Sequence, residues 1–200
     1  MRKLTGVLFA LGLASVAPGG AVILQNDGFV DGAIVAFQNG FAEDEIGAVT
    51  LGPPELAYIV RDIHLLWGPS GPNQQVIVNV WRDTGVTTPG TLIHSEFYDF
   101  PASSNQFVLV NLVALNLRVP QGTGIRVGIE LVHSGAPSIG GDDDGTWTAE
   151  RNWIYVSGFW FSAEFFGVER DWIIRATILE ILLEDGFENE DFSGWSSTVP

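Results

Sequence analysis

The chain has 200 residues, of which 46% are hydrophobic and 16% charged, with a formal net charge of −15 from 9 Lys+Arg against 24 Asp+Glu. That apolar share suits one domain with its own core and excludes wholesale disorder. The sign of the charge excludes the basic face that a nucleic-acid binder needs, and the absence of cysteine excludes disulfides and thiolate metal sites.

At the N-terminus, Arg2 and Lys3 precede an apolar run from Leu4 to Ala17, which Pro18-Gly19-Gly20-Ala21 closes. A basic start, a short hydrophobic stretch and a small-residue exit are the layout of a secretory signal peptide, here residues 1–21. The run is shorter than the ~20 apolar residues that a bilayer-spanning helix takes, so no integral membrane segment is expected in the mature chain. Gly19 and Ala21 form a small-x-small cleavage site; Ala17 is the other candidate, disfavoured by the Pro18 that follows it. Removing Arg2 and Lys3 would leave seven arginines and no lysine against the 24 acids. Such a surface repels nucleic acid and anionic membranes and attracts divalent cations.

Residues 22–182 read as short strands. Ile59, Ile63, Leu65 and Trp67 alternate with Tyr58, Val60, Asp62 and His64. Val76, Val78 and Val80 share a face opposite Ile77, Asn79 and Trp81. Phe107 to Val113 is a further run; Val110 to Val119 comes nearest to a helical pattern, weakened by Asn111 and Asn116. Ile125, Val127, Ile129 and Leu131 lie opposite Arg126, Gly128 and Glu130, and Trp172 to Leu179 is the last run. Period-two alternation of this kind marks half-buried strands. Gly and Pro clusters punctuate them, as in Gly68-Pro69-Ser70-Gly71-Pro72 and Gly122-Thr123-Gly124. The expected fold is all-β, an antiparallel β-sandwich of jelly-roll-like type. Residues 183–200 form an acidic tail with a Ser/Thr-rich end, five acids falling between Glu184 and Asp191.

Four stretches, in this order, carry a resemblance: Asp27-Gly28-Phe29; Asn79-Val80-Trp81-Arg82-Asp83-Thr84 with Pro89-Gly90-Thr91-Leu92; Ile125-Arg126-Val127-Gly128-Ile129-Glu130; and Asp171-Trp172-Ile173-Ile174-Arg175-Ala176. Across residues 22–179 they resemble a jelly-roll accessory domain of secreted bacterial proteins, a resemblance that implies a β-sandwich with no established catalytic centre. The tail, Asp185-Gly186-Phe187-Glu188 through Ser193-Gly194-Trp195-Ser196, resembles a C-terminal signature of exported gammaproteobacterial proteins, which implies a sorting or processing role.

Catalytic signatures are sparse. No G-x-S-x-G elbow or H-E-x-x-H occurs, and Ser134, Ser157 and Ser193 sit beside glycines as turn serines do. His64, His94 and His133 are far apart in sequence and read as independent strand residues. Glu130 is the best single carboxylate for glycoside chemistry, which needs two; its ordinary role is a solvent-facing strand residue opposite an Arg. No catalytic residue is assigned.

Two binding features stand out. Gly140-Gly141-Asp142-Asp143-Asp144-Gly145 sets three carboxylates in a Gly-bounded loop, a candidate calcium site. The EF-hand pattern fails there, because Trp147 takes the glycine position and Trp153 the final Glu position. Alternation in an extended loop favours Asp142 and Asp144 over Asp143 as ligands. Asp27 and Asp31 form a second, weaker set. The aromatics Trp147, Trp153, Tyr155, Phe159, Trp160, Phe161, Phe165 and Phe166 crowd one third of the chain. Trp147, Trp153 and Trp160 are candidate ligand-binding residues, since sugar rings stack on indole faces, while at least half of the group must fill core.

The sequence thus points to a secreted or cell-surface, non-catalytic module that binds a surface glycan, a protein or calcium. The alternative is a structural or cell-surface protein displayed through its tail, and a small glycan-acting hydrolase ranks third. Calcium is the one cofactor under consideration. Ligand identity and oligomeric state are not encoded in any motif.

Overall fold

The computed structural model describes residues 18–30, 33–102 and 106–181. The segment 1–17, Asp31 and the tail from residue 182 onward lie outside the described residues, so the signal-peptide and tail expectations are not addressed by it. Strands occupy Pro18–Leu24 (β1), Val35–Phe37 (β2), Ile46–Leu51 (β3), Tyr58–Gly68 (β4), Gln74–Asp83 (β5), Leu92–Phe100 (β6), Phe107–Asn111 (β7), Leu117–Val119 (β8), Gly124–Leu131 (β9), Ser138–Asp142 (β10), Asn152–Val156 (β11), Phe159–Ser162 (β12) and Ile174–Ile181 (β13). The only helical turns among the described residues are short 3-10 turns at Val113–Leu115 and Ala163–Phe166.

The strands form two antiparallel sheets, a β-sandwich as the alternation implied. One runs β1-β13-β4-β10-β2, with β7 and β8 also paired to β4; the other runs β12-β11-β3-β9-β5-β6. β4 is long enough to serve two short partners along one edge, β8 against Tyr58–Val60 and β7 against Asp62–Leu66. At the junction the Leu112 amide donates to the Arg61 carbonyl at 2.7 Å. The segment that came nearest to a helical pattern is therefore strand, 3-10 turn, strand. Asn116 closes the turn in the left-handed region, where asparagine is tolerated better than most residues.

Between the sheets lies one apolar core. Val76, Val78 and Val80 from β5 meet Ile125, Val127, Ile129 and Leu131 from β9, all fully buried, as the alternation requires. β4 departs from its expected facing. Tyr58 and Val60 join Ile63, Leu65 and Trp67 in the core, while Ile59 turns outward. The register with β13 shifts between Thr177 and Ile178, so that Asp62 pairs with Thr177 but Val60 with Ile178. That bulge at Arg61 adds one residue and flips the facing of everything before it.

The second face of β9 is also covered. Ile46, Ala48 and Trp153 are buried on it, with Trp81, Tyr155 and Trp160 packed against them. A central strand closed on both sides leaves no room at Gly128, where a Cβ would come within 2.8 Å of Ile46 and 2.9 Å of Trp81. No helix among the described residues is long and apolar enough to cross a membrane.

Candidate functional site

Two features stand at one end of the sandwich, where β3, β5 and β13 meet the loops that lead into β9 and β11. The first is built on Arg126 of β9. Its side chain is fully buried, contrary to what a polar strand face would suggest. Nε lies 2.7 Å from Asp83 Oδ2, also fully buried. Asp83 Oδ2 further accepts from Thr50 Oγ1 at 2.8 Å, and Oδ1 accepts from the Gly85 amide at 2.9 Å. Thr50 Oγ1 in turn accepts from Trp153 Nε1 at 3.0 Å. The far end of the guanidinium donates to the Thr87 carbonyl at 2.7 Å and the Val86 carbonyl at 2.6 Å. Burial pulls the Arg126 pKa below the ordinary guanidinium value and Asp83 opposes that shift; the group stays charged.

Above the guanidinium lie aromatic rings, with Trp153 centred 4.3 Å and Trp160 5.2 Å from its carbon. Trp160 is also held edge-on by Trp81 at 5.6 Å and tilted against Tyr155 at 5.3 Å. Beside this stack opens a cleft of about 460 Å³ lined by Trp153, Trp160, Phe161, Phe165, Glu150 and Glu164, among others. Phe165 is 70% exposed and stacks on Phe161 at 5.0 Å. Of the sequence candidates, Trp160 and Trp153 reach this cleft. Trp153 is buried with its indole N–H engaged, and Trp147, exposed on the β10–β11 loop, is not among the lining residues. Glu150 and Gly85 also wall a second cleft of about 300 Å³ with Thr50, Pro53 and Arg151. Pro53, Thr50 and Arg151 continue into a third, bordered by Ile23, Gln25 and Thr148. Neighbouring clefts share walls, Gly85 and Glu150 between the first two and Thr50, Gly52, Pro53 and Arg151 between the second and third, and the three together make up a furrow.

The second feature is acidic. Asp142 is not in a loop, as the sequence suggested, but ends β10; Asp143 and Asp144 follow it. Asp142 Oδ2 accepts from the Gly28 amide at 2.9 Å, and Asp144 Oδ1 accepts from the Thr146 amide at 2.7 Å and its hydroxyl at 2.6 Å. Asp143 points to solvent. Asp171 accepts from Asn26 at 2.8 Å, Asn152 at 2.6 Å and the Thr148 amide at 3.0 Å. Asp27, also buried, pairs with Arg175 and accepts from the Phe29 amide at 3.2 Å. Burial, with Asp144 next, raises the Asp142 pKa; burial raises that of Asp171; the Thr146 donors lower that of Asp144. Sequence alternation had paired Asp142 with Asp144. It gave no sign that Gly28, Asp27 and Asp171 meet them, because those contacts cross the sheet.

The other candidates stay apart. His64 is 3.0 Å from Thr177 Oγ1, His94 3.1 Å from the Tyr98 hydroxyl and His133 2.8 Å from the Pro137 carbonyl. Among the described residues, no group of three or more His, Asp or Glu side chains is arranged to hold a metal ion. Glu130 accepts from Asn79 at 3.1 Å, and its cross-strand neighbours are Ile46 and Ile77, not the expected arginine. Ser134 accepts from the Glu43 amide at 3.1 Å, a contact between two loops distant in sequence.

No family model matches the chain, and no curated protein does. Two solved structures are similar to it: the cysteine protease and lectin-like domains of Cwp84, a surface layer associated protein of Clostridium difficile, and the clostridial protease Cwp84 after propeptide cleavage. Each is 12% identical over 70% of this chain, with a TM-score of 0.49. The chain spans 33% of the first and 37% of the second, about a third of their length.

Proposed function

We propose that the protein is an exported, non-catalytic module that binds a glycan chain along the furrow. The observation that carries this is the Trp160–Phe161–Phe165 wall set beside the Glu150 and Glu164 carboxylates. A pyranose ring offers one apolar CH face and a rim of hydroxyls. Aromatic faces take the first, and carboxylate and carbonyl oxygens accept from the second. The shared walls of neighbouring clefts favour an extended chain over a single sugar. The buried Arg126–Asp83 pair pre-organises the wall, fixing both the 86–87 backbone and the tryptophans, so that little ordering is left to binding. The N-terminal signal-like segment supports a location outside the cytoplasm.

The test is retention on insoluble polysaccharides of different linkage, together with mobility in gels that contain soluble ones. At least one is expected to retain the protein and to release the Trp160→Ala variant. Uniform non-retention overturns the reading. A glycan-acting hydrolase is the second reading, favoured by the presence of two carboxylates in one cleft, the composition that glycoside hydrolysis uses. Release of reducing sugar from the retained polysaccharide, lost on Glu150→Gln or Glu164→Gln, would replace the first reading by the second.

A further inference from the structure

We propose that Asp142 and Asp144 hold a calcium ion at the seam between residues 26–28 and the β10–β11 loop. Asp27, Asp142, Asp144 and Asp171 gather there, and Arg175 is committed to Asp27. Asp171 has its donors in Asn26, Asn152 and Thr148. Asp144 Oδ1 has Thr146. What remains is Asp142 Oδ1, which has no hydrogen-bond partner although the residue is only 2% exposed. A buried carboxylate oxygen without a donor is costly, and a cation is the ligand that satisfies it.

Gly28 marks the place. A Cβ there would lie 3.2 Å from Asp144 Oδ2 and 3.4 Å from Asp142 Oδ2, so both carboxylates converge on a residue that has no side chain. The side-chain donors are hard oxygens, with no imidazole or thiolate, which selects calcium or magnesium over transition metals. Magnesium demands a near-ideal octahedron, whereas calcium takes six to eight oxygens in irregular geometry and accepts main-chain carbonyls and water. With only two side chains supplying oxygens and Asp144 open to solvent, the seam suits calcium. The ion would tether the loop that carries Glu150 and Arg151, two walls of the furrow. The site stands independently of the glycan reading.

The experiment is calorimetric titration of the chelator-treated full chain with calcium chloride, alongside thermal melting with calcium, magnesium or sodium salt. Saturable heat is expected, with a Kd in the range of about 10⁻⁴–10⁻³ M usual for extracellular modules. At about 10 mM calcium the Tm is expected to rise by roughly 3–6 °C, with a smaller rise in magnesium. Asp142→Asn and Asp144→Asn should each abolish heat and shift, while Asp143→Asn keeps both. Melting each variant without metal separates a lost fold from a lost site, and Asp144→Asn, on an exposed residue, carries the test if Asp142→Asn does not fold. Absence of heat and shift in the unaltered protein overturns the proposal, as does equal loss in Asp143→Asn or a magnesium shift that matches calcium's. No sugar enters the assay, so its failure leaves the furrow untouched.

Discussion

Arg126 on β9 and Asp83 on β5 form an ion pair at 2.7 Å with neither side chain exposed, directly beneath the rings of Trp153 and Trp160. A buried pair of this kind adds little net stability, because desolvation offsets the attraction, but losing one partner leaves a bare charge inside. Asp83→Ala is therefore expected to lower unfolding stability by about 3–5 kcal/mol. Urea denaturation measures this; a loss under 1 kcal/mol, on the scale of an exposed pair, would contradict it.

Arg126→Lys keeps the charge but loses the fork that reaches Asp83, Val86 and Thr87 together. The 84–87 turn should loosen and glycan affinity should fall further than the melting temperature suggests. Comparing retention on polysaccharide with Tm checks this. Unchanged affinity in a destabilised Arg126→Lys protein would separate the pair from the furrow.

His94 gives the pH response a sign. Burial lowers its pKa from the ordinary 6.5, with Glu96 opposing. Its ring meets the Tyr98 hydroxyl, a neutral partner at neutral pH. Because the folded state resists the proton that the unfolded chain accepts, stability contributed by neutral His94 is present above about pH 6.5 and is lost as the pH falls below it, levelling off below the folded value. Tm values measured at about pH 7.5 and pH 5 should differ more in the unaltered protein than in His94→Gln. Equal differences would remove His94 from the account.

Gly90 lies where β6 approaches the end of β5. The Arg82 amide donates to the Thr91 carbonyl at 2.8 Å, and a Cβ on Gly90 would come within 2.4 Å of the Arg82 carbonyl oxygen. Backbone on the other side cannot swing away as a side chain can. Gly90→Ala should lower unfolding stability by about 1–3 kcal/mol. A denaturation midpoint equal to that of the unaltered protein would show that the strands can part at no cost.

The sandwich was legible because alternation is local. Val76, Val78, Val80 and the Ile125–Leu131 series each declare a face within a few residues, and the core confirms them. The facing of β4 was not legible, because the bulge at Arg61 is a property of its pairing with β13 and leaves no trace in β4 alone. Arg126 misled for a related reason: alternation tells which way a side chain points, not whether something covers it, and its cover comes from Trp153 and Trp160 on β11 and β12. In the candidate sites, Asp142 and Asp144 were paired by spacing. Glu150 and Glu164 carried no signal that set them apart from the other acids, and only the folded chain brings them to the same cleft.

On the proposed reading, Trp160 and its neighbours receive the sugar chain. Tryptophan fluorescence, followed during titration with oligosaccharides cut from whichever polysaccharide retains the protein, reads that surface directly. A saturable change in emission is expected that grows with oligosaccharide length and disappears in Trp160→Ala, whose cooperative melting without sugar separates a lost surface from the stability lost with the cover over Arg126. Emission that does not respond, or a Trp160→Ala variant that binds as tightly as the unaltered chain, would contradict it.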